Sequence, residues 1–391
     1  MRANWLAPIA GVVLLVANSC AHLRLGPAAQ AAEQRAIRVS SEQATFVLRQ
    51  LTPGLEHPWG LAFLPDGRML VSERPGRLRL VAADGTLDPQ PLAGVPEVWA
   101  QGQGGLLDVA IHPEFATNAL VYLSYAAAGA DGRAGTHVAR AQLRDRALVR
   151  LEEIFASNAR STSGVHFGSR LVFADDGTLF VTLGERGERE LAQRLDSHAG
   201  KIVRIREDGT IPADNPFVGR AGALAEIWSL GHRNVQGAAL HPVTRELWIH
   251  EHGPQGGDEI NIARAGRNYG WPVVTFGREY GTGAPIGEGT AKAGMKPPLW
   301  SWVPSIAPSG MTFYRGERFP AWQGDLFVGA LRAQALVRLE LEGERIVGEE
   351  RLLAGVIGRI RDVREGPDGF LYLLTDAADG AIWRLEPADG S

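Results

Sequence analysis

The chain has 391 residues, of which 45% are hydrophobic, so it can bury a substantial core in one large domain or two ordinary ones. Its formal net charge is −4 with no long block of one sign, which argues against a nucleic-acid partner, because binding nucleic acid usually requires a basic stripe. The 48 glycines exceed average usage and favour many tight turns, and therefore many short strands.

Residues 1–31 are interpreted as a signal peptide and leader. Arg2 precedes an apolar run over residues 5–17, which is too short to span a bilayer comfortably and is typical of a secretory signal. Three interpretations stay open: cleavage after Ala29-Gln30-Ala31, lipid attachment at Cys20, or loss of this only cysteine with the signal. We expect residues 32–391 to form a single exported domain, periplasmic or anchored by a lipid, with no transmembrane span.

A pattern of turn, apolar strand and polar strand end recurs six times along the chain. The turns often contain Pro-Asp-Gly or His-Pro, and Asp-Gly suits tight hairpins because glycine accepts positive φ without penalty. Six such units predict an all-β fold, a six-bladed β-propeller, in preference to a large β-sandwich, because a closed ring leaves few sheet edges. The instances are LPDGRMLVSE (64–73), HPEFATNALVYLSY (112–125), FADDGTLFVTLGE (173–185), HPVTRELWIHEHG (241–253), FPAWQGDLFVGAL (319–331) and GPDGFLYLLTD (366–376).

The strand ends of these units carry polar residues. Equivalent ends in a propeller lie near one face of the central channel, so they predict a binding site at one mouth of the ring. The alternative is that they are polar simply because they reach solvent. The pairs are Ser72-Glu73, Ser124-Tyr125, Gly184-Glu185, Glu251-His252, Leu331-Arg332 and Thr375-Asp376.

Two loops present candidate polar ligands. Residues 100–115 are rich in glycine but do not match the spacing of a dinucleotide fingerprint, so we interpret them as a tight loop that presents Gln103. Residues 161–170 (STSGVHFGSR) place His166 on a glycine-flanked loop just before a strand, where it can reach a ligand outside the chain.

The segment 227–272 is the densest in polar residues. His250 and His252 would face the same way on a strand and supply half of a zinc site, but no third ligand is obvious nearby. Asp258 and Glu259, in a loop rich in glycine and carbonyl groups, are better interpreted as calcium ligands, with an acidic turn as the alternative.

A set of arginines predicts an anionic ligand. A guanidinium pairs with a carboxylate in a fork, so several at one mouth indicate a ligand with several carboxylates. The alternative is a solvated strand whose arginines pair with neighbouring acids. The candidates are Arg233 beside Asn234, Arg359, Arg361 and Arg364 in GRIRDVREG, and Arg332 from the preceding unit.

Several long motifs in order carry a family resemblance. They are HFGSRLVF (166–173), LGHRNVQG (230–237), EHGPQGGDEIN (251–261), GRNYGWP (266–272) and RIRDV (359–363). With these motifs the sequence resembles the bacterial pyrroloquinoline quinone (PQQ) dependent aldose sugar dehydrogenases and, less closely, the soluble quinoprotein glucose dehydrogenases, over about residues 57–384. The resemblance implies a six-bladed propeller, in agreement with the repeats, an oxidoreductase activity, and PQQ and Ca²⁺ as cofactors.

The resemblance also implies roles for individual residues. His166 matches the general base that takes the proton from the anomeric hydroxyl of an aldose, while hydride passes to PQQ and a lactone forms. The implied contacts of PQQ are Gln103, Arg233, Asn234, Ala330, Leu331, Arg332, Arg359, Ile360 and Arg361. The implied calcium ligands are the backbone carbonyls of Gly253 and Pro254 beside PQQ, Glu259 and Tyr269 at a separate structural site, and Tyr280 at another.

The sequence departs from the family pattern at three positions. Arg332 stands where relatives commonly have lysine, Val165 precedes the base where the glucose-oxidising branch has aspartate, and His252 replaces a glutamine of that branch. The last two changes weaken a prediction of glucose specificity. No C-x-x-C-H haem-attachment motif occurs, so electrons are expected to leave to a separate acceptor. Two other functions stay open: a calcium-dependent lactonase, and a non-catalytic exported propeller that binds carbohydrate or protein.

Overall fold

The structure is a computed structural model that describes residues 35–388. The predictions of a leader and of lipid attachment at Cys20 lie outside the described residues. None of the helices within residues 35–388 has the length and apolar character that a membrane span requires. The helical elements of this range are short: α1 (Phe115–Asn118) and two 3-10 turns at Arg189–Gln193 and Pro320–Trp322.

The described chain is built almost entirely of short strands. In chain order they are β1 (Ala36–Ser40), β2 (Thr45–Leu55), β3 (Pro58–Phe63), β4 (Met69–Glu73), β5 (Arg77–Val81), β6 (Leu106–Ile111), β7 (Leu120–Ala128), β8 (Ala134–Arg144), β9 (Ala147–Ala156), β10 (Leu171–Phe173), β11 (Leu179–Thr182), β12 (Lys201–Ile205), β13 (Ile227–Leu230), β14 (Val235–Leu240), β15 (Leu247–Glu251), β16 (Asp258–Ile262), β17 (Trp300–Trp302), β18 (Pro308–Phe313), β19 (Leu326–Ala330), β20 (Ala335–Glu342), β21 (Arg345–Leu352), β22 (Ile360–Glu365), β23 (Leu371–Thr375) and β24 (Gly380–Pro387).

These strands form six antiparallel sheets, which are the six blades of the predicted propeller. Blades one to five are β3–β5, β6–β9, β10–β13, β14–β17 and β18–β21, and the sixth has the order β1-β2-β24-β23-β22. The predicted six-bladed propeller is therefore confirmed. The strand of each sequence repeat is the second strand of its blade, and the turn before it uses positive φ at Gly177 (79°) and Gly369 (78°), as the Asp-Gly pairs require.

The ring closes by pairing the two ends of the described chain. The early strand β2 pairs with the last strand β24, from Phe46 opposite Pro387 to Leu55 opposite Gly380. This pairing covers sheet edges that would otherwise be exposed to other chains. Apolar side chains fill the space between neighbouring blades; one such cluster joins Val71 of the first blade to Leu374 and Ile382 of the sixth.

Charged side chains fill the hub of the ring. The first strand of each blade contacts those of its neighbours, so these strands surround the axis. Arg170 lies 3.1 Å from Asp108 and 3.0 Å from Asp362, and Arg364 lies 3.0 Å and 2.8 Å from the same two carboxylates. The Arg170 guanidinium also lies 4.2 Å from the ring of Trp59. Arg364 thus belongs to this hub network and not to the predicted ligand-binding arginines.

Candidate active site

A cavity of about 330 Å³ opens above the hub, at the ends of the second strands. Trp59, whose ring lies between the hub network and this space, forms part of its wall. Five of the predicted cofactor residues line the cavity, together with residues that the sequence analysis did not single out. The lining residues are Trp59, Arg74, Gly102, Gln103, Leu107, Phe167, Gly168, Asn234, Gln236, His252, Ala307, Leu331, Arg359, Arg361 and Asp376.

His166 lies beside this lining, between the loop of Gln103 and the end of β11. Its backbone has a positive φ of 57°, which is uncommon for a residue other than glycine. The backbone N–H of His166 donates to Oε1 of Gln103 at 2.8 Å, so the two predicted loops meet. A side chain at Gly184 would bring a Cβ within 2.0 Å of the His166 carbonyl oxygen, so only glycine permits this close approach.

The Glu185 carboxylate orients the ring of His166. Its Oε2 lies 2.7 Å from Nδ1 of His166 and accepts the backbone N–H of Gly187 at 2.5 Å. Because an ionised carboxylate can only accept hydrogen bonds, Nδ1 of His166 carries the proton. Nε2 of His166 has no hydrogen-bond partner within residues 35–388. From its place in the sequence, Glu185 was predicted only as a polar strand end. The available signal was its position just after β11, the strand that pairs with β10 next to the His166 loop.

Burial sets the electrostatics of this pair. Burial lowers the pKa of His166 below its ordinary value, and the positive charge of Arg233 lowers it further. Glu185 raises this pKa but does not offset the effect of burial. Burial would raise the pKa of Glu185, but His166 and the N–H of Gly187 outweigh it, so the pKa of Glu185 is lowered. His166 is therefore neutral near pH 7, with Nε2 free to accept a proton.

Two arginines of the cavity share one carboxylate. Oδ2 of Asp376 lies 3.0 Å from Nη2 of Arg359 and 3.2 Å from Nη2 of Arg361, and its Oδ1 lies 3.0 Å from Nδ1 of His57. Although burial opposes it, Arg361 and the other partners hold the pKa of Asp376 well below its usual range. Arg361 also donates to Oε1 of Gln236 at 3.0 Å, while its buried Nε has no partner in the described part of the chain.

Arg233 joins the cavity to the segment 252–254. Its Nη1 donates to the carbonyl oxygens of His252 (3.1 Å) and Gly253 (2.7 Å). Its buried Nε is unpartnered among residues 35–388, as is that of Arg361. The neighbouring Asn234 accepts the backbone N–H of Gly168 at 3.1 Å through Oδ1, which ties this side of the cavity to the His166 loop.

The two carbonyls predicted to bind calcium beside the cofactor lie next to one another. The Gly253 carbonyl accepts from Arg233, and the Pro254 carbonyl accepts the hydroxyl of Tyr280 at 2.9 Å. Tyr280 is 64% exposed, and its role at a further calcium site stays a prediction. A carbonyl oxygen has a second lone pair, so each remains able to bind a cation.

Glu259 lies in a second, smaller recess lined also by Gly231, Glu251, Gly257 and Thr275. Burial raises the pKa of Glu259 well above its ordinary value, and the negative charges of Glu251 and Asp258 add to the effect. A buried carboxylate beside two others is the kind of group that a bound cation stabilises.

Two neighbours of Glu259 have other roles. Tyr269 donates its hydroxyl to the carbonyl of Ile262 and accepts the backbone N–H of Arg264, so any role at a cation falls to its backbone carbonyl. Asp258 accepts from the backbone N–H groups of Gly253, Ile306 and Ala307 and from the Ser305 hydroxyl, which makes it an anchor for these loops. Within residues 35–388, no group of three or more histidine, cysteine, aspartate or glutamate side chains is arranged to hold a metal ion.

Besides Arg233, which stands behind the cavity, three other residues predicted to contact the cofactor do not line it. Ala330 and Ile360 are fully buried beside lining residues, and Arg332 is exposed outside it. His250 and His252 do not form the alternative zinc site. The Nε2–H of His252 donates to the Pro308 carbonyl at 2.5 Å, and burial lowers the pKa of His252 to about 3.

Comparisons with known proteins place this site in a family context. The family model described as Glucose / Sorbosone dehydrogenase matches residues 55–384. Aldose sugar dehydrogenase YliI of Escherichia coli is 47% identical over 348 residues, which cover 88% of this chain and 94% of that protein.

Solved structures agree with the fold over most of the chain. The apo-form of the soluble aldose sugar dehydrogenase from Escherichia coli is 46% identical with a TM-score of 0.85, covering 87% of this chain and 99% of that one. The PQQ-bound form of aldose sugar dehydrogenase from Streptomyces coelicolor is 29% identical with a TM-score of 0.72, covering 91% of this chain and 98% of that one.

Proposed function

The chain belongs to the Glucose / Sorbosone dehydrogenase family, and from this membership we propose that it oxidises aldose sugars at the anomeric carbon to lactones, with PQQ and Ca²⁺ as cofactors. The observation that carries the proposal is the His166–Glu185 pair beside a cavity walled by arginines and amides. An exported, periplasmic location and transfer of the electrons to a separate acceptor complete the proposal.

The residues around the cavity fit a flat ligand with several carboxylates. Arg359 and Arg361 face this space together with Asn234 and Gln236, and Arg233 stands behind it. The buried, unpartnered Nε groups of Arg233 and Arg361 are donors that an anionic ligand could satisfy, within the part of the chain described. When bound, PQQ supplies the acceptor for hydride, while the protein supplies binding and orientation.

The proposed calcium ligands are all oxygen atoms, which suits this hard cation. The carbonyls of Gly253 and Pro254 would hold one ion beside the cofactor, sharing their oxygens with Arg233 and Tyr280 or displacing those donors. The Glu259 carboxylate and the carbonyl of Tyr269 would hold a second ion. A calcium ion next to the quinone supplies Lewis-acid polarisation when bound.

His166 performs the proton step of the proposed reaction. Nε2 accepts the proton of the anomeric hydroxyl, and Nδ1–H stays bonded to Glu185 at 2.7 Å. The buried carboxylate then stabilises the imidazolium that forms. Gln103, which accepts the His166 backbone N–H and lines the cavity, keeps the base at the edge of the space where sugar and cofactor would meet.

Reconstitution of the purified apoprotein tests the proposal. PQQ and calcium are added, separately and together, and aldoses are supplied with an artificial electron acceptor. Dye reduction that requires both additions is the expected result, and His166→Ala should reduce it by about 10²–10⁴-fold while keeping PQQ affinity. Lactone hydrolysis without PQQ would identify a lactonase instead. Sugar binding without either activity would identify a binding propeller.

A further inference from the structure

Arg186 is a buried cation next to the His166 loop, and the proposed reaction leaves it without a role. Only 2% of its surface is exposed. Its Nη1 donates to the Val165 carbonyl, and its Nη2 donates to the carbonyls of Ser163 (2.6 Å) and Ala134 (3.3 Å). The guanidinium carbon lies 3.5 Å from the centre of the Phe167 ring. One side chain thus contacts the backbone before His166 and the side chain after it.

The His166 loop needs such support. Residues 162–170 lie outside regular strands, and β10 begins only at Leu171. His166 has a φ of 57° and Ser169 a φ of 95°, and both are strained values for residues other than glycine. Strained backbone persists only where the surrounding structure holds it in place. Arg186 provides two of the hydrogen bonds that do so, at the carbonyls of Ser163 and Val165.

The chemistry of this contact requires arginine. A guanidinium offers five N–H donors in a rigid plane, so it can reach several carbonyls and still lie flat on an aromatic ring. Arg186 has no ion pair with a carboxylate within residues 35–388, and burial lowers its pKa to about 10. Burying a cation that contacts only carbonyl groups and an aromatic ring costs free energy. We therefore expect Arg186 to have a role beyond filling space in the core.

We propose that Arg186 is a positioning residue for His166: it holds the backbone of the loop, while its neighbour Glu185 holds the imidazole ring. The proposal rests on the proposed function only in assigning His166 the role of base. The two consecutive residues then fix the base from two directions, Glu185 at Nδ1 and Arg186 at the carbonyls before it.

The positive charge of Arg186 is a separate effect that the test must distinguish from its geometry. The charged or titratable groups that act on His166 are Glu185, Arg233 and Arg186, with His252 also close enough to interact. Arg186→Lys keeps the charge but loses the planar fork. Arg186→Gln loses both. Arg338, equally buried and paired with Asp325 and Glu350 in the fifth blade, provides matched controls as Arg338→Lys and Arg338→Gln.

Three measurements are made on each variant: kcat with PQQ and calcium, PQQ affinity of the apoprotein by titration, and the imidazole NMR signals of His166, assigned by their loss in His166→Ala. We expect both Arg186 variants to lower kcat by up to about 10²-fold, because misplacing a catalytic group by an ångström costs that much. We also expect PQQ affinity to hold and the His166 signals to shift or split in the apoprotein. The Arg338 variants should match wild type in all three.

Several results would overturn the proposal. One is a normal kcat for Arg186→Lys with a low kcat for Arg186→Gln, which would assign the effect to charge alone. Another is a set of His166 signals that neither variant changes. If both variants fail to fold, Phe167→Leu removes the ring beneath the guanidinium, and unchanged His166 signals there would count against the proposal. Full activity of His166→Ala would defeat the proposed function, whereas the NMR signals would still report on Arg186.

Discussion

Replacing Glu185 by glutamine should weaken the base without dismantling its surroundings. The side chain keeps its size in a position where only 3% of it is exposed, but it loses the charge that faces Nδ1 of His166 at 2.7 Å. The lost charge lowers the pKa of His166 further and removes the anion that stabilises the imidazolium. We therefore expect Glu185→Gln to lower kcat.

The size of the effect follows from the buried hydrogen bond. A hydrogen bond to a charged group contributes about 1.5–3 kcal/mol. Since about 1.4 kcal/mol corresponds to a tenfold change in rate, kcat should fall by roughly 10- to 150-fold. The loss should appear mainly in kcat, because Glu185 does not line the cavity and the PQQ contacts remain.

The assay is dye reduction by apoprotein reconstituted with PQQ and calcium, with PQQ affinity measured separately. Glu188→Gln is the matched control, because Glu188 lies three residues further on with a side chain that is 44% exposed. A wild-type kcat for Glu185→Gln, under conditions where His166→Ala is inactive, would refute this account of the base.

Three further predictions follow from the same site. Because the pKa of His166 lies below its ordinary value of about 6.5, kcat/KM should rise with pH through an apparent pKa below 6.5 and then level off. A rise in kcat/KM centred above about 6.5 would contradict the assignment of His166 as the base. Calcium at about 100 times its Kd should stabilise the folded protein by about 2.7 kcal/mol for each occupied site in thermal unfolding, and Glu259→Gln should remove the contribution of its own site. An unchanged response in that variant would exclude Glu259 as a ligand. Gly184→Ala should lower kcat by about 10²-fold, because its Cβ would lie 2.0 Å from the His166 carbonyl oxygen. The control Gly348→Ala would place its Cβ 3.2 Å from only the flexible Glu340 side chain and should keep a normal kcat, so equal rates in the two variants would contradict the prediction.

The repeated turns and strands were enough to predict the architecture. Each repeat is a local signal, because an Asp-Gly turn and an alternating apolar strand depend on neighbours in the chain. The six instances correspond to the second strands of the six blades, β4, β7, β11, β15, β19 and β23. The blade count therefore needed no tertiary information.

The partners within the site were not predictable in the same way. Gln103 and His166 are 63 residues apart, and His57 and Asp376 are 319 apart, yet each pair is hydrogen-bonded. Arg361 and Arg364 lie in one short motif but face different surroundings, the cavity and the hub. The two arginines were predicted to act together because only their spacing in the sequence was known.

The strand repeats, the number of blades and the types of residue available for chemistry depend on local backbone preference and composition, so they could be predicted from the amino-acid order. Which of those residues act together depends on contacts between distant parts of the folded chain. Closing the ring brings loops from distant blades into contact, and there burial and hydrogen bonding select among the charged groups: Glu185 for the imidazole ring, Asp376 for two arginines, and Arg186 for the backbone of the loop.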